Sequence, residues 1–165
     1  MQNTVLVNFA TFPFCFRTTT VKDFTNKLID EKEFACKFKD LYEKLLPHVN
    51  QKTFEELMNE RFHCHPIRKT DVDKIDLINK IVGNLVEKWK PGIDVAEFLK
   101  QNLEGEKIWQ LGNNSIRLIG IRKERMFDVL FIDYHHLIYP SIKYNEKEYT
   151  NNNFGIIEYA EVEHE

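Results

Sequence analysis

The spacing of apolar positions along this chain changes from strand-like to helical and back. Val5-Leu6-Val7-Asn8-Phe9-Ala10-Thr11-Phe12 is a β-branched and aromatic run closed by Pro13, and it predicts a strand. A Thr at 19 or 20 serves as cap for a short helix over 21–29. Phe34, Ala35, Phe38, Leu41, Tyr42 and Leu45 then recur at helical intervals, with Asp30 as cap and Pro47 as the stop. Thr53 and Glu56 form a capping-box pattern that opens a third helix with Phe54, Leu57 and Met58 turned inward. Ile75, Ile78, Ile81, Val82, Leu85 and Trp89 lie on one apolar stripe over 71–90, which Pro91-Gly92 breaks. Asp94 and Glu97 open a fifth helix, with Val95, Phe98, Leu99 and Leu103 toward the core and Gly105 at its end.

From 107 onward the period returns to two. Ile108–Leu111 and Ile116–Arg122 read as strands joined by Gly112-Asn113-Asn114, a turn of the kind that tolerates positive φ. Lys123–Met126 reads as a charged hairpin loop. Phe127–Asp133 is apolar at nearly every position, which predicts a central strand covered on both faces. The order predicts a single α+β domain over 1–165, with a mostly antiparallel sheet built from the N-terminal strand and a C-terminal β-meander and packed against about five helices. In this reading the helical region spans about 21–105, the meander about 107–143, and residues 158–165 form an acidic, partly mobile tail.

Charge sharpens this picture. The formal net charge is -3, yet residues 107–147 carry seven Lys and Arg against four Asp and Glu. The meander is therefore a mildly basic block on an acidic body, compatible with a polyanion such as RNA. Three scattered cysteines argue for a reducing, cytoplasmic setting and against a disulfide framework. No apolar run approaches the ~20 residues that span a bilayer, and the N-terminus lacks a basic leader region, so no membrane partner is expected. A Gly-rich phosphate loop, HExxH, CxxC and a nucleophile elbow are all missing, and no cofactor is expected.

Candidate chemistry falls in three places. Asp133-Tyr134-His135-His136 follows directly on the buried strand, where a rigid element would hold an imidazole as acid or base. Phe62-His63-Cys64-His65-Pro66 is irregular, and on extended backbone His63 and His65 share a face and are candidate metal ligands, with His135 or His136 added. Arg117 and Arg122 suit phosphate, but five residues apart on one strand they point to opposite faces, so one of them joins a given site. Tyr134, Tyr139, Tyr144 and Tyr149 either stack on bases or pack with polar tips exposed.

The segments WQLGNNSIRLIGIR and FDVLFIDYHHLIY resemble the C-terminal half of the RelE/ParE superfamily of bacterial toxins, in which N-terminal helices pack on a strand meander. The resemblance covers about thirty residues; the helices at 30–46 and 71–90 would be an elaboration. It implies metal-independent cleavage of RNA, with Arg117 or Arg122 on the scissile phosphate and one of His135, His136 and Tyr139 as acid or base. It also implies an antitoxin partner. Two other readings stand beside it. One is a non-catalytic module, of phage or mobile-element origin, that binds a host protein. The other is a metal-dependent enzyme using His63, His65, His135 and His136.

Overall fold

Apolar side chains on both faces of one sheet set the architecture. The computed structural model describes residues 3–60, 63–140 and 148–163. Strand β1 (Leu6–Asn8) is followed by a small hairpin, β2 (Thr20–Val21) and β3 (Phe24–Thr25). Helices α1 (Glu31–Asp40), α2 (Leu46–Val49) and α3 (Phe54–Asn59) lead to a short strand, β4 (His65–Pro66). Then come α4 (Val72–Trp89), α5 (Val95–Asn102), β5 (Lys107–Gly112), β6 (Arg117–Lys123), β7 (Met126–Asp133) and α6 (Ile156–Glu163). The five-stranded sheet has the order β1-β7-β6-β5-β4; β1 runs parallel to β7 and the other pairs are antiparallel. The α+β class with a mostly antiparallel sheet is as expected, and no helix of the described residues is long and apolar enough to cross a membrane.

Trp109, Leu111, Leu118, Phe127, Val129 and Ile132 pack on one face with Leu45, Val49, Phe54 and Leu57. Ile108, Ile119, Ile121, Leu130 and Phe131 pack on the other with the stripe of α4. Strand β7 is thus covered on both sides, which accounts for its nearly unbroken apolar run.

One irregularity in β7 matters for everything downstream. Ile119 lies opposite Phe131, whereas Gly120 lies opposite Val129. Leu130 is therefore the extra residue of a β-bulge, and Leu130 and Phe131 both reach the α4 side. Gly120 makes the bulge feasible. A Cβ there would press on the Asp128 carbonyl oxygen and stand 2.7 Å from Phe127 Cζ.

Several local expectations are corrected. Residues 20–25 form a hairpin instead of the predicted helix over 21–29. Consecutive β-branched residues favour extended backbone, Asp23 takes the turn at φ 68°, and the Thr20 and Thr25 hydroxyls meet across the strands at 2.9 Å. Strand β1 ends at Asn8 rather than Phe12, because the chain bends where Asn8 Oδ1 accepts from the Ala10 N–H. Pro47 does not stop the helix. A π-helical turn over Leu41–Leu45 absorbs the missing N–H and the ring one turn upstream, and α2 continues to Val49. The wider turn also changes the buried face. Leu41 and Leu45 are enclosed, while Phe38 and Tyr42 are 45% and 68% exposed. Phe38 and Tyr42 stack on each other along the helix instead of entering the core, while Phe34 stacks on Phe38 and packs against the core. Met58 likewise faces out. The β5–β6 turn needs no positive φ, since Asn113 Oδ1 accepts from the Ser115 and Ile116 N–H groups at 2.8 and 3.0 Å. Residues 158–163 of the expected mobile tail belong to α6, docked through Glu158 on the Thr18 N–H at 3.0 Å and by Glu161 on Arg17.

Gly120→Ala is expected to lower unfolding free energy by about 1–3 kcal/mol, because the methyl has nowhere to go without shifting β7. Urea denaturation of the two proteins measures this; equal midpoints would show that the bulge is not held by the missing Cβ.

Candidate functional site

The bulge fixes what meets at the end of the sheet. Residues opposite each other in an antiparallel pair share a face, and Arg117 lies opposite Asp133. Without the extra residue, Arg117 would face Ile132 and Asp133 would point to the other side. Asp133 is fully enclosed and holds the following turn. Its carboxylate accepts from the backbone N–H groups of Leu137 at 3.0 Å, Ile138 at 2.9 Å and His135 at 3.3 Å. Burial pushes its pKa up, while those donors and the Arg117 charge pull the other way. His136 sits in this turn at φ 58°, a left-handed conformation that directs its ring back toward the sheet end.

Strand β4 supplies the rest. It pairs with β5 through His65↔Gln110 and Pro66↔Trp109, which brings His63 and His65 to the edge of the same face. Arg117, 4% exposed, donates from Nη2 to His63 Nδ1 at 3.1 Å and from Nη1 to the Tyr139 carbonyl at 3.4 Å. Since Arg117 can only donate, His63 Nδ1 is the acceptor, and its proton rests on Nε2, which meets Asn114 Oδ1 at 3.1 Å. The rings of His63 and His136 lie 6.4 Å apart. Gln110 Nε2 donates to the His63 carbonyl at 2.9 Å and reaches His65 Nε2 at 3.3 Å. The His65 ring meets the Tyr139 ring edge-on at 4.7 Å, and Lys74 Nζ lies over Tyr139 at 4.5 Å.

The electrostatics follow from one buried cation among imidazoles. Burial, then the Arg117 and Lys37 charges, depress His136 to a pKa of about 3. His65 is pushed down by burial first and by Arg117 and His63 after it, against the Pro66 carbonyl. Tyr139 is raised to about 12 by burial and then by Asp71. The cluster thus presents a permanent positive charge, neutral imidazoles and a protonated phenol, a set suited to an anion with exchangeable protons. It is poorly suited to a metal ion, which would face the guanidinium. Among the described residues no three His, Cys, Asp or Glu side chains are grouped to hold one.

Of the residues singled out from sequence, Arg117, His63, His65, His136 and Tyr139 converge. Arg122 and His135 do not. Arg122 lies toward the other end of β6 and on the opposite face, bonded to Glu55 at 2.8 Å and stacked 4.3 Å over Phe54. His135 turns away from the cluster, with Nε2 on the Lys27 carbonyl at 2.7 Å and its ring stacked 4.0 Å from Tyr149. Tyr134 is a core residue, while Tyr144 and Phe62 lie outside the described residues. Gln110, Asn114 and Lys74 join the cluster without having been singled out. For Gln110 a signal existed, a polar residue in the middle of a covered strand.

The His136 shift has a pH consequence. A histidine whose folded pKa lies below its ordinary 6.5 is protonated first in the unfolded chain. Its contribution is complete above about pH 6.5 and is lost as the pH falls toward about 3. His65 and His135, also depressed, act in the same direction. His136→Asn keeps a residue that tolerates the left-handed turn but does not titrate. The expected result is a smaller, still finite, loss of stability between neutral and mildly acidic pH than in the wild type, measured by urea unfolding. An identical loss would show that His136 does not contribute to the pH dependence of stability.

The family described as Uncharacterised protein UU032 matches this chain over residues 11–162. A protein of that description from Ureaplasma parvum serovar 3 (strain ATCC 700970) is 31% identical over 131 residues, covering 78% of this chain and 66% of that protein. The chain therefore spans just under two thirds of the length of that relative. No solved structure matches. With most of its length matched, including the strands and turns that carry Arg117, His63 and His136, the chain belongs to the UU032 family.

Proposed function

We propose that this protein is a metal-independent ribonuclease whose site is the end of the sheet around Arg117. The observation that carries the reading is the guanidinium of Arg117 lying 3.1 Å from Nδ1 of His63 and 3.4 Å from the Tyr139 carbonyl, with the Tyr139 ring against His65. A fixed cation next to an unprotonated imidazole nitrogen is what 2′-hydroxyl attack on phosphorus requires. Arg117 stabilises the charge that develops on the phosphorane oxygens, the larger share of the catalysis. Once Arg117 turns to the phosphate, His63 Nδ1 takes the 2′-hydroxyl proton. The Tyr139 phenol supplies a proton to the departing 5′-oxygen. His136, neutral and enclosed, positions the ring of His63. The basic character of residues 107–147 and the resemblance to RelE-type toxins support the same reading, which brings a protein antitoxin as the expected partner.

A second reading, a protein-binding module acting on a host protein, is favoured by the exposed stack of Phe38 on α1 and Tyr42 on the π-helical turn after it. The two separate in one set of variants. Under the ribonuclease reading, purified protein cleaves RNA in the presence of EDTA. Arg117→Ala and His63→Ala each lower the rate by about a hundredfold to ten-thousandfold, while Arg122→Ala leaves it unchanged. Growth arrest on induction follows the same pattern. Arrest that survives Arg117→Ala but is lost in Phe38→Ser/Tyr42→Ser would sink the enzyme in favour of the binding module.

A further inference from the structure

Gln110 does not fit the pattern of its strand. It sits within β5, opposite Ile119 of β6 and His65 of β4, and it is fully enclosed. Ile119, and Ile108 two residues before Gln110, pack on the α4 side, so the position belongs to an apolar face. The NH2 group of the amide is bonded, but Oε1 is buried and meets no donor among the described residues. An enclosed acceptor without a partner is costly, and an apolar side chain of the same size would avoid that cost. Packing alone therefore does not explain the residue.

Its contacts divide two histidines between two proton arrangements. A carbonyl only accepts, so the amide group 2.9 Å from the His63 carbonyl is the NH2. The same NH2 lies 3.3 Å from His65 Nε2, which is therefore an acceptor without a proton. The other ring nitrogen agrees: His65 Nδ1 stands 3.1 Å from the Pro66 carbonyl and carries the proton. His63 is the reverse, with its proton on Nε2 toward Asn114 and its lone pair on Nδ1 toward Arg117. Both groups that Gln110 meets need a donor. Both amide hydrogens are turned to them, and the oxygen is left over.

We infer that Gln110 is the positioning residue that assigns the two histidines of this cluster their separate roles. Its NH2 occupies the His65 lone pair, which withdraws His65 as a base and leaves its ring as packing for Tyr139 at 4.7 Å. Through the His63 carbonyl it ties down the backbone that carries the other imidazole. Of the two lone pairs, the one on His63 is then the one that faces the guanidinium. The catalytic meaning of this division rests on the ribonuclease reading; the division of the tautomers does not.

The test is long-range proton–nitrogen NMR of the histidine rings in the full chain, joined to RNA cleavage assays. In the wild type, His65 is expected to show a protonated Nδ1 and a bare Nε2. Gln110→Glu puts an acceptor of the same shape where the donor was, and a proton is then expected on His65 Nε2. Gln110→Met removes the donor without adding an acceptor, so the Pro66 carbonyl keeps the His65 proton on Nδ1. Both variants are expected to lower kcat about tenfold, the loss of one hydrogen bond, with KM within about twofold of the wild type. A wild-type His65 protonated on Nε2 would overturn the inference, and this arm needs no variant to fold. So would a His65 pattern indifferent to Gln110→Glu, or a kcat unchanged in both variants. The expected His65 patterns in a protein that cleaves no RNA would uphold Gln110 as the residue that sets the tautomers and overturn the ribonuclease reading instead.

Discussion

A strand's side chains alternate strictly, so the phase set at one residue dictates the face of every later one, and an inserted residue is the way to change it within a strand. The insertion at Leu130 has that effect here. It places Asp133 opposite Arg117 instead of leaving Ile132 there. Asp133 then folds the chain over the end of the sheet through three backbone N–H groups, and His136 and Tyr139 return on that turn. The bulge in turn depends on Gly120, where side-chain volume would meet β7. A packing detail in the middle of the sheet thereby determines which polar groups can meet at its rim.

The consequence is electrostatic. Arg117 cannot give up its charge, and it is almost entirely enclosed. Asp133 offers partial compensation, but its oxygens are committed to the turn. Burial and the guanidinium both oppose a second positive charge on His65 and His136. A planar guanidinium fork of this kind is shaped for bidentate contact with an oxyanion such as phosphate or carboxylate. The same arrangement has a structural value, tying β4 to β6 and to the β7 turn. The atoms proposed to act on RNA are also the ones that hold the scaffold, which is why variants need both an activity and a stability readout.

Much of this was legible in the sequence. The meander, the α4 stripe and the caps at Asp30, Thr53 and Asp94 follow from periodicity and from hydrogen-bonding residues at fixed offsets. Parity alone placed Arg117 and Arg122 on opposite faces, and they are. Which of the two joins a site depended on β4, a two-residue strand with no local signal of its own. His135 and His136 are adjacent, and their divergence comes from the left-handed backbone at His136, set by the Asp133 turn rather than by either histidine. The hairpin at 20–25 and the π-turn before Pro47 were misread for a common reason. Both are local backbone choices stabilised by contacts with distant parts of the chain, such as Thr19 with Asn84 and Asp40 with Ser115.

We propose that Arg117 and His63 form an anion site whose imidazole is held as the Nε2–H tautomer. Long-range proton–nitrogen NMR of the histidine side chains reads that tautomer directly, and a 2′-O-methyl RNA dinucleotide, which cannot react, tests the anion. The expected result is an Nε2–H resonance pattern for His63 in the free protein, and a shift of the His63 Nδ1 and Arg117 guanidinium signals on addition of the dinucleotide. An Nδ1–H tautomer, or signals that ignore the dinucleotide, would contradict it.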